Sequence, residues 1–157
     1  MGAWQKGSYP ERTAGLTARQ GIKKKTVEKL DETNYADLAE QAILALKGKV
    51  DKWGKSIPML TTSKIRNLLA MISDIYNDVI NSSEAVLSSE TIERINYLKI
   101  RIVYEAGRDA RVKDLVEEAA VLEHLKEINN DKKQFIRFCR YMEALVAYHR
   151  FHGGKDH

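Results

Sequence analysis

The chain has 157 residues, a formal net charge of +4 and one cysteine. This length suits one domain with a sizeable core, and a single cysteine excludes an internal disulfide framework. No apolar run approaches the ~20 residues needed to cross a membrane, and the N-terminus lacks an apolar signal core. We therefore expect a cytoplasmic protein without membrane contact.

The first thirty residues differ in composition from the rest of the chain. They hold seven Lys and Arg against two Asp and Glu, whereas the remaining residues hold nineteen basic and twenty acidic side chains. Because large apolar residues are few, this segment cannot bury enough surface to offset its ordering entropy. We predict that residues 1–30 form a disordered basic arm, natural or introduced for expression, and that 31–157 form one helical domain.

From residue 31 onward, apolar residues recur at helical spacing. The first helix is expected from Tyr35 to near residue 54, with Val50 and Trp53 on its apolar side. The second helix follows the capping residues 61–63 and is the clearest amphipathic stretch in the chain.

The third helix is predicted from residues 88–89 to Gly107, and it carries two apolar strips. One strip faces a core, and the other contains Tyr97, Ile100 and Tyr104. A helix that is apolar on two faces is typical of the centre of a bundle.

A fourth helix is predicted between Asp109 and residues 129–130, and a fifth from about Asp131 to residues 153–154. No stretch alternates between apolar and polar residues in the manner of a strand. The sequence therefore predicts an all-α protein, an antiparallel bundle of about five helices.

The sequence contains no convincing catalytic or cofactor site. Residues 48–56 (GKVDKWGKS) approach a phosphate-binding loop, but five residues separate the two glycines where that loop needs four. His149 and His152 are i, i+3 neighbours without a third ligand, so we interpret them as structural. Cys139 lies on an apolar helix face and is expected to be a packed thiol. We predict no catalytic residue, no metal and no cofactor, and therefore no enzyme.

Basic side chains are the remaining functional signal. Lys64 and Arg66 fall in the first turn of the second helix, where free backbone N–H groups and the helix dipole favour an anion. Arg137 and Arg140 form a basic stripe on the last helix, which a solvated helix face explains about as well as phosphate contact. Charge alternates along the chain in bands about one helix long, which mutual solvation of neighbouring helices also explains.

Several stretches carry a resemblance to a known family. They are residues 34–40 (NYADLAE), 60–69 (LTTSKIRNLL), 104–108 (YEAGR), 138–148 (FCRYMEALVAY) and 153–156 (GGKD). Together they resemble the small subunit of the Csm effector complex of type III-A CRISPR systems. The resemblance covers about residues 34–156 and leaves the N-terminal arm without a counterpart.

The resemblance implies a helical, non-cutting subunit that stacks head to tail beside guide RNA paired with target RNA. Its implied partners are these RNAs, further copies of itself, and other Csm subunits, including the large subunit and the backbone subunits. The resemblance assigns RNA contact to Lys64 and Arg66 and, more weakly, to Arg108. The other candidates named below are supported by their positive charge alone. The candidate RNA-binding residues are Lys52, Lys55, Lys64, Arg66, Arg101, Arg108, Arg137 and Arg140. The alternative is a protein–protein adaptor that self-associates through its charged bands without binding RNA.

Overall fold

The computed structural model describes residues 26–156, which form six α-helices. The helices are α1 (Tyr35–Lys47), α2 (Thr62–Ile80), α3 (Ser89–Arg108), α4 (Ala110–Glu118), α5 (Val121–Glu127) and α6 (Lys132–Phe151). Between residues 26 and 156 the backbone forms no strand, and two isolated bridges join Val50 to Ser56 and Val86 to Asp131. The all-α prediction is confirmed.

Side-chain caps explain why four of these helices begin where they do. Each capping side chain accepts a hydrogen bond from a backbone N–H in the first turn, which satisfies one of the donors that a helix start leaves free. The caps are Thr61 of α2, Ser88 of α3, Asp109 of α4 and Asp131 of α6.

The predicted fourth helix is two helices, which is why the bundle has six helices and not about five. Ala119 ends α4, and Ala120 takes a left-handed backbone conformation with φ 49° before α5 begins. That conformation costs an L-residue roughly 1–2 kcal/mol. The Tyr141 hydroxyl donates a hydrogen bond to the Ala119 carbonyl at 2.8 Å, so the break leaves that buried acceptor satisfied.

Helix α6 occupies the centre of the bundle. It packs against α1, α2 and α5, and it contributes the wholly buried side chains Phe135, Phe138, Met142 and Leu145. One hydrophobic core contains side chains from all six helices. The last helix is therefore the main packing partner of α1 and α2.

The prediction that α3 is central is wrong. Its first apolar strip, which includes Ile95 and Ile102, is buried in the core. Its second strip faces solvent, where Tyr97 is 63% exposed, Ile100 63% and Tyr104 64%. Helix α3 is therefore a peripheral helix with an uncovered apolar face.

The first helix is shorter than its spacing predicts. It ends at Lys47, and both Val50 and Trp53 lie outside the core. The Asp51 carboxylate accepts hydrogen bonds from the backbone N–H groups of Trp53 and Lys55, both at 2.9 Å. Such local side-chain-to-backbone bonds compete with helical ones, so the chain turns back after Gly48 instead of continuing the helix.

The core reaches into the segment predicted as a disordered arm. Leu30 is 1% exposed, and its carbonyl accepts a hydrogen bond from the buried Gln134 amide at 3.0 Å. The ordered domain therefore begins before residue 31. Residues 1–25 of the predicted arm lie outside the described residues.

The residues after α6 connect the end of this helix to the start of α2 through a backbone hydrogen bond. The Lys155 carbonyl accepts a hydrogen bond from the Thr62 N–H at 2.9 Å, and Gly154 covers the wholly buried ring of His149. A Cβ on Gly154 would lie 2.2 Å from the nearest atom of that ring. The His149 Nε2 is 2.7 Å from the Leu60 carbonyl oxygen, so the ring is held in place.

Replacing Gly154 with alanine should therefore lower the free energy of unfolding by about 2 kcal/mol, because the buried ring cannot move aside cheaply. Gly107→Ala is the matched control, since a Cβ there meets no atom within 4 Å. Because position 107 is helical, Gly107→Ala should instead raise the free energy of unfolding by up to about 1 kcal/mol. Urea denaturation of both variants tests the pair, and equal effects would contradict the close approach of Gly154 to His149.

Candidate nucleic-acid interface

A groove lies between α2 and α3 and is closed at one end by the start of α4. Its volume is about 460 Å³. We call it the α2–α3 groove, and its lining residues are Lys64, Asn67, Leu68, Ala70, Met71, Asp74, Arg101, Glu105, Arg108 and Val112. Three of the predicted basic residues, separated by up to 44 positions in the sequence, therefore share one surface.

The cations of the groove are only weakly held by carboxylates. Lys64 Nζ is 3.5 Å from Asp109 Oδ2, and Arg108 Nη1 is 3.7 Å from Glu105 Oε1. Solvent-accessible pairs of this kind contribute roughly 0–1 kcal/mol each. Arg101 makes no ion pair with any residue from 26 to 156. An incoming phosphate can therefore compete for all three cations.

Asp109 is anchored in place as the cap of α4. Burial tends to raise the pKa of Asp109, but the hydrogen bonds from the Arg111 and Val112 N–H groups and the charge of Lys64 outweigh it. The pKa of this carboxyl therefore lies below its ordinary value. Asp109 therefore caps the start of α4 and places a negative charge next to Lys64.

The structure corrects the reason for expecting an anion at the start of α2. The Thr62 N–H donates to the Lys155 carbonyl at 2.9 Å, and the Lys64 N–H donates to Thr61 Oγ1 at 3.3 Å. These amides are therefore not free for an anion. Arg66 lies roughly 200° around the helix from Lys64 and is not among the groove residues. The two predicted partners therefore face different directions.

Lys52 and Lys55 lie on a separate surface, the loop of residues 48–56. Lys52 Nζ is 4.3 Å from the centre of the Trp53 ring. Lys49 fixes this loop to α4 through a 2.8 Å contact with Asp114, and that hydrogen bond raises the pKa of Lys49. The loop therefore presents cations on an anchored segment outside the groove.

Arg137 and Arg140 lie on α6, apart from both other surfaces, and each has a carboxylate partner. Arg137 Nη2 is 3.6 Å from Glu32 Oε2, and Arg140 Nη1 is 3.2 Å from Glu143 Oε2. Of the eight predicted residues, three therefore lie in the groove, two in the 48–56 loop and two on the α6 face, and Arg66 lies apart from all three surfaces. Sequence reasoning missed Asn67, whose i+3 spacing from Lys64 was the available signal.

His149 and His152, which the sequence indicates to be structural, both have partners within the fold. His149 Nε2 is bonded to the Leu60 carbonyl, and His152 Nε2 lies 2.8 Å from Glu40 Oε1. In the part of the chain that the structure describes, no three His, Cys, Asp or Glu side chains are grouped to hold a metal ion. Among the same residues, no helix is both long enough and apolar enough to span a bilayer.

The buried thiol of Cys139 and the buried hydroxyl of Tyr141 should make the protein less stable at alkaline pH. Burial raises the pKa of the Cys139 thiol from 9.0 to about 12, and burial also raises the pKa of Tyr141. The unfolded chain releases these protons at lower pH than the folded protein does, so stability is full below about pH 8.5 and falls as the pH rises.

The free energy of unfolding should fall by about 1.4 kcal/mol per pH unit for each group once the pH exceeds the pKa of that group in the unfolded chain, which is about 9 for Cys139 and about 10 for Tyr141. Urea denaturation midpoints between about pH 8 and pH 10.5 measure the decline. Cys139→Ala removes one of the two groups and should make the decline shallower. An identical decline in that variant would contradict a buried, protonated thiol.

The described residues thus form a small helical protein with a surface groove that is lined by three cations and two carboxylates. A family model described as Csm2 Type III-A matches residues 40–155, most of the chain. The chain therefore belongs to the Csm2 family of type III-A CRISPR small subunits.

Relatives named "CRISPR system Cms protein Csm2" are similar to this chain. The protein from Streptococcus thermophilus is 48% identical over 127 residues, covering 81% of this chain and 98% of the relative. The protein from Enterococcus italicus is 41% identical over 95 residues, covering 59% and 68%. The protein from Mycobacterium tuberculosis strain H37Rv is 38% identical over 97 residues, covering 62% and 78%.

Proposed function

We propose that this chain is the non-catalytic small subunit of a cytoplasmic type III-A CRISPR ribonucleoprotein and that it contacts guide or target RNA. The observation that carries the proposal is the convergence of Lys64, Arg101 and Arg108 in the α2–α3 groove. These cations outnumber the two carboxylates of the groove lining, Asp74 and Glu105, and the excess positive charge on a concave surface attracts a polyanion.

Such contacts hold RNA without reading its sequence. Contacts to phosphate oxygens fix the position of a nucleic acid but carry no base information. Lys64, Arg101 and Arg108 offer ammonium and guanidinium donors, which suit phosphate oxygens. The role that fits the groove is to hold a guide–target duplex whose specificity comes from base pairing.

The uncovered face of α3 supports contact with other subunits. Tyr97, Ile100, Val103 and Tyr104 form a contiguous exposed apolar strip on this helix. Apolar strips of this kind mark protein interfaces. We assign this strip to a neighbouring Csm protein: the large subunit, a backbone subunit or a further copy of this chain.

The same strip favours the second candidate function, a helical adaptor that self-associates without RNA. The two functions differ in their response to salt. RNA contact through several phosphates makes log affinity fall with log salt, with a slope of about 0.7 per phosphate for single strands. Self-association through the α3 strip buries apolar surface and is far less sensitive to salt.

Affinity purification from the native host tests the proposal. A tag on this chain should recover short guide RNAs of discrete lengths together with the large Csm subunit. Recovery of the chain alone, or of copies of itself free of RNA, would reject the RNA-contacting role in favour of the adaptor. A nuclease-treated sample is the control, because it separates partners held by RNA from partners held by protein.

A further inference from the structure

The loop of residues 48–56 is an ordered turn that presents Trp53 at its tip. An isolated bridge joins Val50 to Ser56, and the Asp51 N–H donates to the Lys55 carbonyl at 2.8 Å. Gly54 has φ +79°, a conformation that favours glycine and completes the turn. Trp53 is the most exposed large hydrophobic side chain of the loop, and the hydrogen bonds of the loop backbone hold it at the tip of the turn.

The high solvent exposure of Trp53 is unusual for a tryptophan. Trp53 is 78% exposed, although its ring is one of the largest apolar groups that a protein can bury. Phe151 is exposed to the same extent, but its ring packs edge-on against His152 at 5.0 Å. Lys52 lies over one face of the Trp53 ring, so its other face is available to a ligand.

The charge around Trp53 indicates what kind of ligand fits. Residues 47–56 contain four lysines and one aspartate. Lys49 is paired with Asp114, and the Asp51 carboxylate accepts hydrogen bonds from the loop amides. Lys52 and Lys55 therefore flank the ring as cations, and a matching ligand must be anionic and must carry a flat face.

An unpaired RNA nucleotide has both properties. Every base offers a π face to an aromatic side chain, and the phosphates on either side are anionic. A docking protein would require a broad apolar patch, whereas a single indole among lysines offers one flat face. Charge complementarity and the single ring thus favour RNA over a protein or a lipid surface.

We propose that Trp53 stacks on an unpaired RNA base and that Lys52 and Lys55 contact the phosphates on either side of it. This inference rests on the proposed RNA-contacting function and adds to it a second contact, outside the α2–α3 groove. Stacking of this kind tolerates any base, so it adds affinity without adding sequence preference.

Tryptophan fluorescence reports the contact directly. The full chain contains two tryptophans, Trp4 and Trp53. In the Trp4→Phe variant, a single-stranded oligouridine at low salt should quench the emission of Trp53 in a saturable way. In the Trp53→Phe variant, the emission comes from Trp4 and reports any quenching that does not involve the loop.

Affinity for the same oligouridine gives the second readout. Trp53→Ala should weaken binding by about 5- to 150-fold, the range found when a single stacking aromatic is removed. Trp53→Phe retains an aromatic face and should weaken binding less. Phe151→Ala is the matched control, because it removes an equally exposed ring outside the loop, and it should leave affinity unchanged.

The outcomes separate this inference from the proposed function. Suppose that the wild-type chain binds RNA, that Trp53→Ala binds equally well and that RNA does not quench the emission of Trp53. Stacking is then rejected, and RNA binding by the α2–α3 groove still stands as a proposal. If the wild-type chain shows no binding to oligouridine at low salt but binds an RNA duplex, stacking is rejected and the proposed function stands; binding to neither RNA rejects both. If vesicles containing phosphatidylserine quench Trp53 and RNA does not, the loop binds lipid and stacking is rejected.

Discussion

Reversing the three groove cations in the Lys64→Glu, Arg101→Glu, Arg108→Glu variant should weaken RNA binding by about 100-fold or more at moderate salt. Each substitution removes an attraction to a phosphate and introduces a repulsion at the same place. The salt dependence of the remaining affinity should also become shallower, by about one unit of slope for each phosphate that the variant no longer binds. Fluorescence anisotropy with a labelled RNA at several salt concentrations measures both effects.

A matched variant controls for net charge. Lys99, Lys113 and Lys126 are exposed and lie outside the α2–α3 groove, the 48–56 loop and the α6 face. Their replacement by glutamate changes net charge equally and should weaken binding by only a few-fold through long-range attraction. If the two triple variants lose affinity equally, binding depends on overall charge and the groove is not the site. Circular dichroism of both variants verifies that the helices persist.

Replacing Phe138 with alanine should lower the free energy of unfolding by about 3–5 kcal/mol. Phe138 is wholly buried on the central helix α6, so its removal loses apolar packing and leaves a cavity in the shared core. Since natural domains are stable by only about 5–15 kcal/mol, this single change removes a large share of the total.

Urea denaturation at constant m-value measures the decrease. Phe151→Ala is the control, because the same side chain is removed from an exposed position, and it should change stability by less than about 0.5 kcal/mol. A decrease below about 1 kcal/mol in Phe138→Ala would contradict the central position of α6.

Most of the fold follows from patterns that operate within one helix. The starts of α2, α3, α4 and α6 were predictable because Thr61, Ser88, Asp109 and Asp131 are caps whose acceptors are set by local geometry. The break at Ala120 was not predictable, because no glycine or proline marks it. The carbonyl just before the break is satisfied by Tyr141, which lies on a different helix and is distant in the sequence.

The errors in burial have a common physical cause. The spacing of apolar residues predicts which side of a helix is apolar, but it does not predict whether another part of the protein covers that side. Tyr97 and Tyr104 have helical spacing yet face solvent, and Trp53 continues the spacing of α1 after the helix has ended. These exposed aromatic residues are the ones to which we assign contacts with partners.

The candidate site was predictable as a set of residues but not as a surface. Lys64, Arg101 and Arg108 were singled out by charge and resemblance, whereas their shared groove results from the packing of α2 against α3. Arg66 was grouped with Lys64 because the sequence predicts both in the first turn of the second helix and both lie in the stretch that carries the resemblance, although the helix directs them to different sides. Tertiary packing therefore determines which cations act together.

We propose that this chain contacts RNA within a type III-A CRISPR complex. Ultraviolet crosslinking of the complex purified from its native host, followed by mass spectrometry of RNA-bound peptides, detects such contacts in the assembled complex. We expect crosslinked peptides from this chain that contain the 48–56 loop or residues lining the α2–α3 groove. RNA crosslinks to the other subunits, with none to this chain in the same sample, would contradict the claim.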